Sequence, residues 1–161
     1  MMNTRIYQVQ KFIMSLFIII SMATHAKSDF TPEQLEKLSY DFVKAIDLRQ
    51  QPDTNIEDID HYISLLDDNF IDEHIKYKFT YTDKVKLRED MIAKMTGEII
   101  FSSIKIDELI IGKNVTFIKM TETIKGKPSH LNKIVEYTKT NVLSVEFNDR
   151  GLITHIRRHH G

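Results

Sequence analysis

Apolar residues recur along this chain at two spacings. Through much of the first half they return every three or four residues, and in the second half they alternate with polar ones. Leu35, Leu38, Phe42, Ala45 and Ile46 mark one face of a helix. Thr31-Pro32-Glu33-Gln34 starts it: Thr31 can cap, Pro32 suits the first helical position and Gln34 completes a capping box. Gln51-Pro52-Asp53 ends it. A second helix is expected from Asn55, with Ile56, Ile59, Ile63 and Leu66 on one face. Asn69 to Tyr81 reads as extended, being rich in aromatic and β-branched types. A third helix is expected from about Thr82 to Thr96, with Leu87, Met91 and Met95 inward and Gly97 as its stop.

From Ile99 the period is two. Strands are expected at Ile99–Ile111, Val115–Ile124, Lys133–Phe147 and Leu152–His159, joined by turn residues as an antiparallel meander. Runs of 13 and 15 residues are long enough to need a bend, and Ser102-Ser103 and Thr140-Asn141 are the expected bend points. Helices followed by a meander make an α+β domain. Three helices on one face of a strongly curved antiparallel sheet enclose a cone-shaped space, a suitable place for a small ligand. The five Gly and three Pro all fall at the expected element boundaries, so local and global signals agree.

The N-terminus follows a different logic. Arg5 and Lys11 precede an apolar run from Phe12 to Met22, and Ala23-Thr24-His25-Ala26 follows it. Eleven residues are too few to span a bilayer, which takes about 20. Residues 1–26 therefore read as a secretory signal peptide cleaved after Ala26, with cleavage after Ala23 as the rival, and residues 27–161 as one domain. The expected location is the bacterial periplasm or the medium beyond it. Without Cys the domain must rest on its hydrophobic core rather than on disulfides. Removing Arg5 and Lys11 from the 22 Lys and Arg leaves 20 against 23 Asp and Glu, a net charge of −3. That balance argues against nucleic acid as a partner, and no membrane association is expected after cleavage.

Three stretches, in this order and at this spacing, carry a family resemblance: Leu65-Leu66-Asp67-Asp68-Asn69-Phe70-Ile71-Asp72, Gly112-Lys113-Asn114-Val115, and Val145-Glu146-Phe147-Asn148-Asp149-Arg150-Gly151-Leu152-Ile153. They resemble the helix-to-strand passage, the central hairpin and the last hairpin of the nuclear transport factor 2-like superfamily, and more narrowly of its SnoaL-like members. The resemblance covers about residues 31–160. It implies a cone-shaped, cystatin-like α+β barrel and pairing of two copies through the outer face of the sheet. Val115 and Phe117 alternating with Ile118 and Met120 leave apolar side chains on both sheet faces, which fits such a homodimer. Enzymes, binding modules and dimerisation domains all share this shape.

In the ketosteroid isomerases of this superfamily a carboxylate base follows the helix-to-strand passage, where Glu73 falls here, or Asp72 one residue earlier. The family's tyrosine donor aligns with Phe42, although Tyr40 is near, and its protonated aspartate aligns with Leu143. Phe and Leu cannot stabilise an oxyanion, so the resemblance does not carry isomerase chemistry. Among the remaining carboxylates, Glu122 and Glu136 stand out. If the hairpin between their strands is centred near Ser129 they oppose one another, one pKa rises, and acid–base work becomes open to them. The alternative is that the face is solvated, or that Lys or His neutralises both.

The histidines show no HExxH-like spacing, and neither a metal nor an organic cofactor is expected. Arg157-Arg158 reads as a solvated strand end, and His159-His160-Gly161 as a frayed terminus. Tyr40, Phe42, Tyr62, Met91, Met120, Tyr137 and His155 are the expected pocket lining. The expected function is an exported domain that binds a small, mainly apolar ligand in its cone or serves as an accessory module. One alternative is a pocket enzyme using Glu122, Glu136 or Glu73 for isomerase-, hydrolase- or dehydratase-like chemistry. Another is a dimeric interaction domain with a filled cone.

Overall fold

The computed structural model describes residues 30–129 and 131–161. The signal-peptide reading lies on residues outside that range, as does His130. Helix α1 spans Pro32–Leu48, α2 Ile56–Ser64 and α3 Lys84–Lys94. Their starts follow from local hydrogen bonding. Thr31 accepts from the backbone of Gln34 while the Gln34 side chain accepts from the backbone of Thr31, at 3.3 and 2.9 Å. Asn55 and Asp58 repeat this box on α2, and the Asp83 carboxylate accepts from the backbones of Val85 and Lys86 on α3. Each cap satisfies amide groups that have no partner inside the helix.

The strands are β1 Leu66–His74, β2 Phe79–Tyr81, β3 Glu98–Ile111, β4 Val115–Lys127, β5 Val135–Phe147 and β6 Ile153–His160, in the spatial order β2-β1-β6-β5-β4-β3. The extended stretch expected from Asn69 thus starts earlier, at Leu66. It is broken by a short 3-10 turn at Ile75–Tyr77 that ends on Lys78 in the left-handed region. The sheet is mixed rather than wholly antiparallel. The meander returns β6 to a place beside β1, and these two run parallel. Bulges fall in β3 between Ile99 and Phe101 and between Ile106 and Glu108, not at Ser102-Ser103. β4 and β5 keep an unbroken register through Thr140 and Asn141. Further register shifts fall between Leu66 and Ile71 of β1 and between Glu146 and Phe147 of β5, and such irregularities add local twist.

The core lies between the helices and the inner face of the sheet. Phe42, Ile46 and Leu35 of α1 and Ile59 and Tyr62 of α2 meet Phe70, Ile118, Leu143, Val145 and Ile156. The buried Ser39 hydroxyl donates to the Leu35 carbonyl at 2.8 Å and lies 2.9 Å from Thr116 Oγ1, which ties α1 to β4. Two of the three stretches that carried the family resemblance meet each other. Asp67 accepts from the Asn148 amide at 2.7 Å and from Arg150 at 2.9 Å. Gly151, at φ 77°, closes that last hairpin in a conformation that favours glycine. These residues hold the start of β1 against the β5–β6 turn, so their role is in the fold.

Candidate functional site

The inner face of each central strand changes character along its length. On β1 it runs Phe70, Asp72, His74; on β6 Ile156, Arg158, His160; on β5 Val145, Leu143, Asn141, Lys139; on β4 Ile118, Met120, Glu122. The apolar members lie under the helices. The register brings the polar members together as one band across the sheet: Glu122 faces Lys139, Asn141 faces His160, and His74 faces Arg158. A cavity of about 450 Å³ opens over this band, closed on the other side by Ile46 and Arg49 at the end of α1 and by Leu87 and Met91 of α3. The cone is therefore not filled by its own side chains.

Two groups of hydrogen bonds make up the band. Arg158 donates to both oxygens of Asp72, at 2.6 and 2.9 Å, and to the hydroxyl of Tyr62 at 3.0 Å. Asp72 is 2% exposed and Arg158 6%. Burial disfavours the guanidinium charge, but the Asp72 carboxylate and the Tyr62 hydroxyl more than offset this, and the Arg158 pKa lies above its ordinary value. Burial likewise raises the pKa of Tyr62, so its hydroxyl stays protonated.

At the other end Glu122 accepts from the Asn141 amide at 3.1 Å and from Lys139 at 2.9 Å. Donor and acceptor roles propagate from there. Because Asn141 gives its NH₂ to Glu122, its Oδ1 faces His160 Nδ1 at 3.3 Å and takes that proton. His160 Nε2 is then an acceptor for His74 Nδ1 at 3.2 Å, the two rings stacked with centroids 5.3 Å apart. His74 Nε2 is left with a lone pair, 3.7 Å from Asp72. Burial, reinforced by the positive charge of Arg158, lowers the pKa of His74 to about 4. Burial and the charges of Lys139 and Arg158 lower that of His160 as well. Both imidazoles are neutral near pH 7, which leaves His160 Nε2 able to accept from His74.

The expected site residues are distributed unevenly over this geometry. Glu122, Met91 and Met120 line the cavity. Glu136 does not meet Glu122: the β4–β5 hairpin is centred beyond Ser129, so Glu136 pairs with Lys125 on the outer face and Lys139 takes the place opposite Glu122. Period two makes that odd shift decisive, since it exchanges the faces. Glu73 also points outward. It accepts from Arg157 at 2.6 Å and lies 3.2 Å from His155. The Arg157 hydrogen bond holds its pKa below the ordinary carboxylate value, unsuited to a base. Asp72, one residue earlier, is the carboxylate on the cavity side.

His155 belongs with Glu73 and Glu146 on the outside, not in the pocket. Tyr40 is half-exposed on α1 and Phe42 is sealed in the core. Tyr62 lies behind the cavity wall, supporting Arg158. Tyr137 lines a second cavity of about 370 Å³ beside the first. Arg158 is buried rather than solvated, and His160 is fixed by Asn141 and His74 rather than frayed. The signal for both was present in β6, where Ile156, Arg158 and His160 share the parity of the buried Ile. Among the described residues, no group of three or more His, Asp or Glu is placed to hold a metal ion.

No protein-family model matches this chain, and no curated protein matches it. Solved structures do. A SnoaL-like polyketide cyclase from Shewanella putrefaciens is 15% identical, with 78% of each chain covered and a TM-score of 0.62. One from Shewanella denitrificans is 11% identical, over 78% of this chain and 89% of that one, with a TM-score of 0.64. SalBIII, an epoxide hydrolase/cyclase-like enzyme of pyran ring formation in salinomycin, is 14% identical, over 78% and 92%, with a TM-score of 0.60. At such identities the likeness is one of fold. Three helices on an open, curved six-stranded sheet, covering most of those chains, place this protein in the nuclear transport factor 2-like fold shared by the SnoaL-like proteins.

Proposed function

We propose that this protein is an exported binding module whose conical cavity takes a small organic ligand and whose polar band orients that ligand's polar end. The observation that carries the reading is the band itself. Seven inward side chains on four strands, joined by hydrogen bonds and ion pairs, form one wall of a cavity whose opposite wall carries Ile46, Leu87 and Met91 beside Arg49 and Lys94. That combination of apolar surface with a few fixed polar groups is what ligand pockets use. The ligand is accordingly amphipathic rather than wholly apolar.

An enzyme in the same cavity is supported less. Structural neighbours include a cyclase-like and an epoxide hydrolase-like protein, and Asp72 would be the carboxylate to act. Yet both Asp72 oxygens are engaged by Arg158, and Glu122 is engaged by Lys139 and Asn141, so neither carboxylate is free to reach a substrate proton. A homodimer is proposed on the outer sheet face, where Ile110, Phe117 and Val142 are exposed near one another.

The binding reading is tested by a thermal-shift screen of small organic compounds on the mature protein, run beside Met120→Trp, which fills the cavity over the band. Ligands raise the melting temperature of the parent by mass action and leave the variant unmoved, once circular dichroism shows that it is folded. Compounds that stabilise both proteins equally would place binding elsewhere.

A further inference from the structure

Arg49 sits on the partition between the two cavities and lines both, as do Gln50, Met91 and Lys94. Four of the five arginines among the described residues have an acidic partner: Arg88 with Asp60, Arg150 with Asp67, Arg157 with Glu73 and Arg158 with Asp72. Arg49 has none. Its guanidinium lies over the Tyr62 ring, 4.8 Å from the centroid. Its Nε is sealed from solvent without a hydrogen-bond partner. Stacking on Tyr62 covers one face of the guanidinium, and with Nε sealed the edge left open to the cavities is that of the two terminal nitrogens, on which a planar carboxylate docks with two parallel hydrogen bonds.

The charges around it point the same way. Of the four cations on the first cavity, Arg158 and Lys139 are matched by Asp72 and Glu122, while Arg49 and Lys94 are in no ion pair among the described residues. The second cavity, reached from Arg49, has Met91, Met95, Ile99, Ile124 and Val135 in its lining, with Glu98 and Lys127 among its polar members. An anionic group at Arg49 would therefore have apolar surface beside it. The burial that lowers the Arg49 pKa is a cost to the free protein. Natural chains tend to keep such a cost where function requires it.

Taking the cavity as the binding site proposed above, we infer that Arg49, assisted by Lys94, is an anion subsite that binds the carboxylate of an organic acid whose apolar body lies in the second cavity. The ligand class is an aliphatic or aromatic monocarboxylate.

The test uses octanoate, 1-octanol and acetate on the mature protein, read by calorimetry and by melting temperature. Octanoate binds and stabilises, while octanol and acetate do so at least ~10-fold more weakly, since the first lacks the charge-assisted bonds and the second the apolar body. Arg49→Met removes an unpaired cation from the interior, so the free variant melts no lower than the parent, and its octanoate affinity falls at least ~10-fold. Arg49→Lys retains part of it.

Equal binding of octanol and octanoate would overturn the carboxylate subsite while leaving the cavity as a ligand site. No binding of octanoate would overturn it as well, with the compound screen against Met120→Trp still deciding the broader reading. An Arg49→Met protein that melts well below the parent would show that Arg49 serves the fold and would equally overturn the inference.

Discussion

Arg158→Met should be among the most damaging single substitutions in this domain. It would leave Asp72, 2% exposed, without the two hydrogen bonds of 2.6 and 2.9 Å that now hold it, and Tyr62 without its donor at 3.0 Å. Removing one partner of a buried ion pair costs about 3–5 kcal/mol, because the other charge remains in the interior uncompensated. A domain of this size has about 5–15 kcal/mol in total, so the variant should approach the edge of folding. The double variant Asp72→Leu/Arg158→Met removes both charges and substitutes apolar groups. It should recover at least about 2 kcal/mol over the single one, a coupling well outside additivity. Urea denaturation at pH 7 measures each corner of the cycle, and an unchanged slope confirms that the unfolded states are comparable. A loss below about 1 kcal/mol for Arg158→Met, or simple additivity in the double variant, would refute the description of Asp72 and Arg158 as a closed buried pair.

Glu122→Gln should lower the melting temperature at pH 7, by about 1 kcal/mol of stability, since Lys139 loses its partner; a rise would mean that Glu122 is uncompensated after all. His74 has a folded pKa of about 4, below its ordinary 6.5. Its contribution is thus complete above pH 6.5 and is lost as pH falls towards 4, by up to about 3 kcal/mol. His74→Gln should flatten the stability profile in that window, and an unchanged acid slope would contradict the depressed pKa. Export predicts a mature N-terminus at Lys27, which the intact mass of the periplasmic protein reads directly; the mass of all 161 residues would overturn it. Sedimentation should show a dimer at tens of micromolar, about the working range of a specific interface, and Phe117→Glu should dissociate it; a monomeric parent would remove the proposed outer-face contact.

Element types and helix starts were legible because their causes are local. The capping box at Thr31 and the alternation of β4 and β6 can be read within a few residues. The site was legible only in part because it depends on register across a hairpin. Placing its centre near Ser129 put Glu136 opposite Glu122, and the true centre brings Lys139 there instead. The same alternation that marks Phe70 as buried carries Asp72 and His74 inward, and that which marks Ile156 carries Arg158 and His160. Polarity alone had suggested solvent for Arg158. What no local pattern could supply is the parallel pairing of β1 with β6, which sets Asp72 beside Arg158 although 86 residues separate them.

Amide chemical-shift mapping with a compound from the screen tests the central claim most directly. The polar band as the ligand's wall predicts that the largest perturbations fall on Asp72, His74, Asn141, Arg158 and His160, with Arg49 and Met91 across the cavity. Perturbations centred on Phe101, Phe117 and Val142 would put the ligand on the outside of the sheet and contradict it.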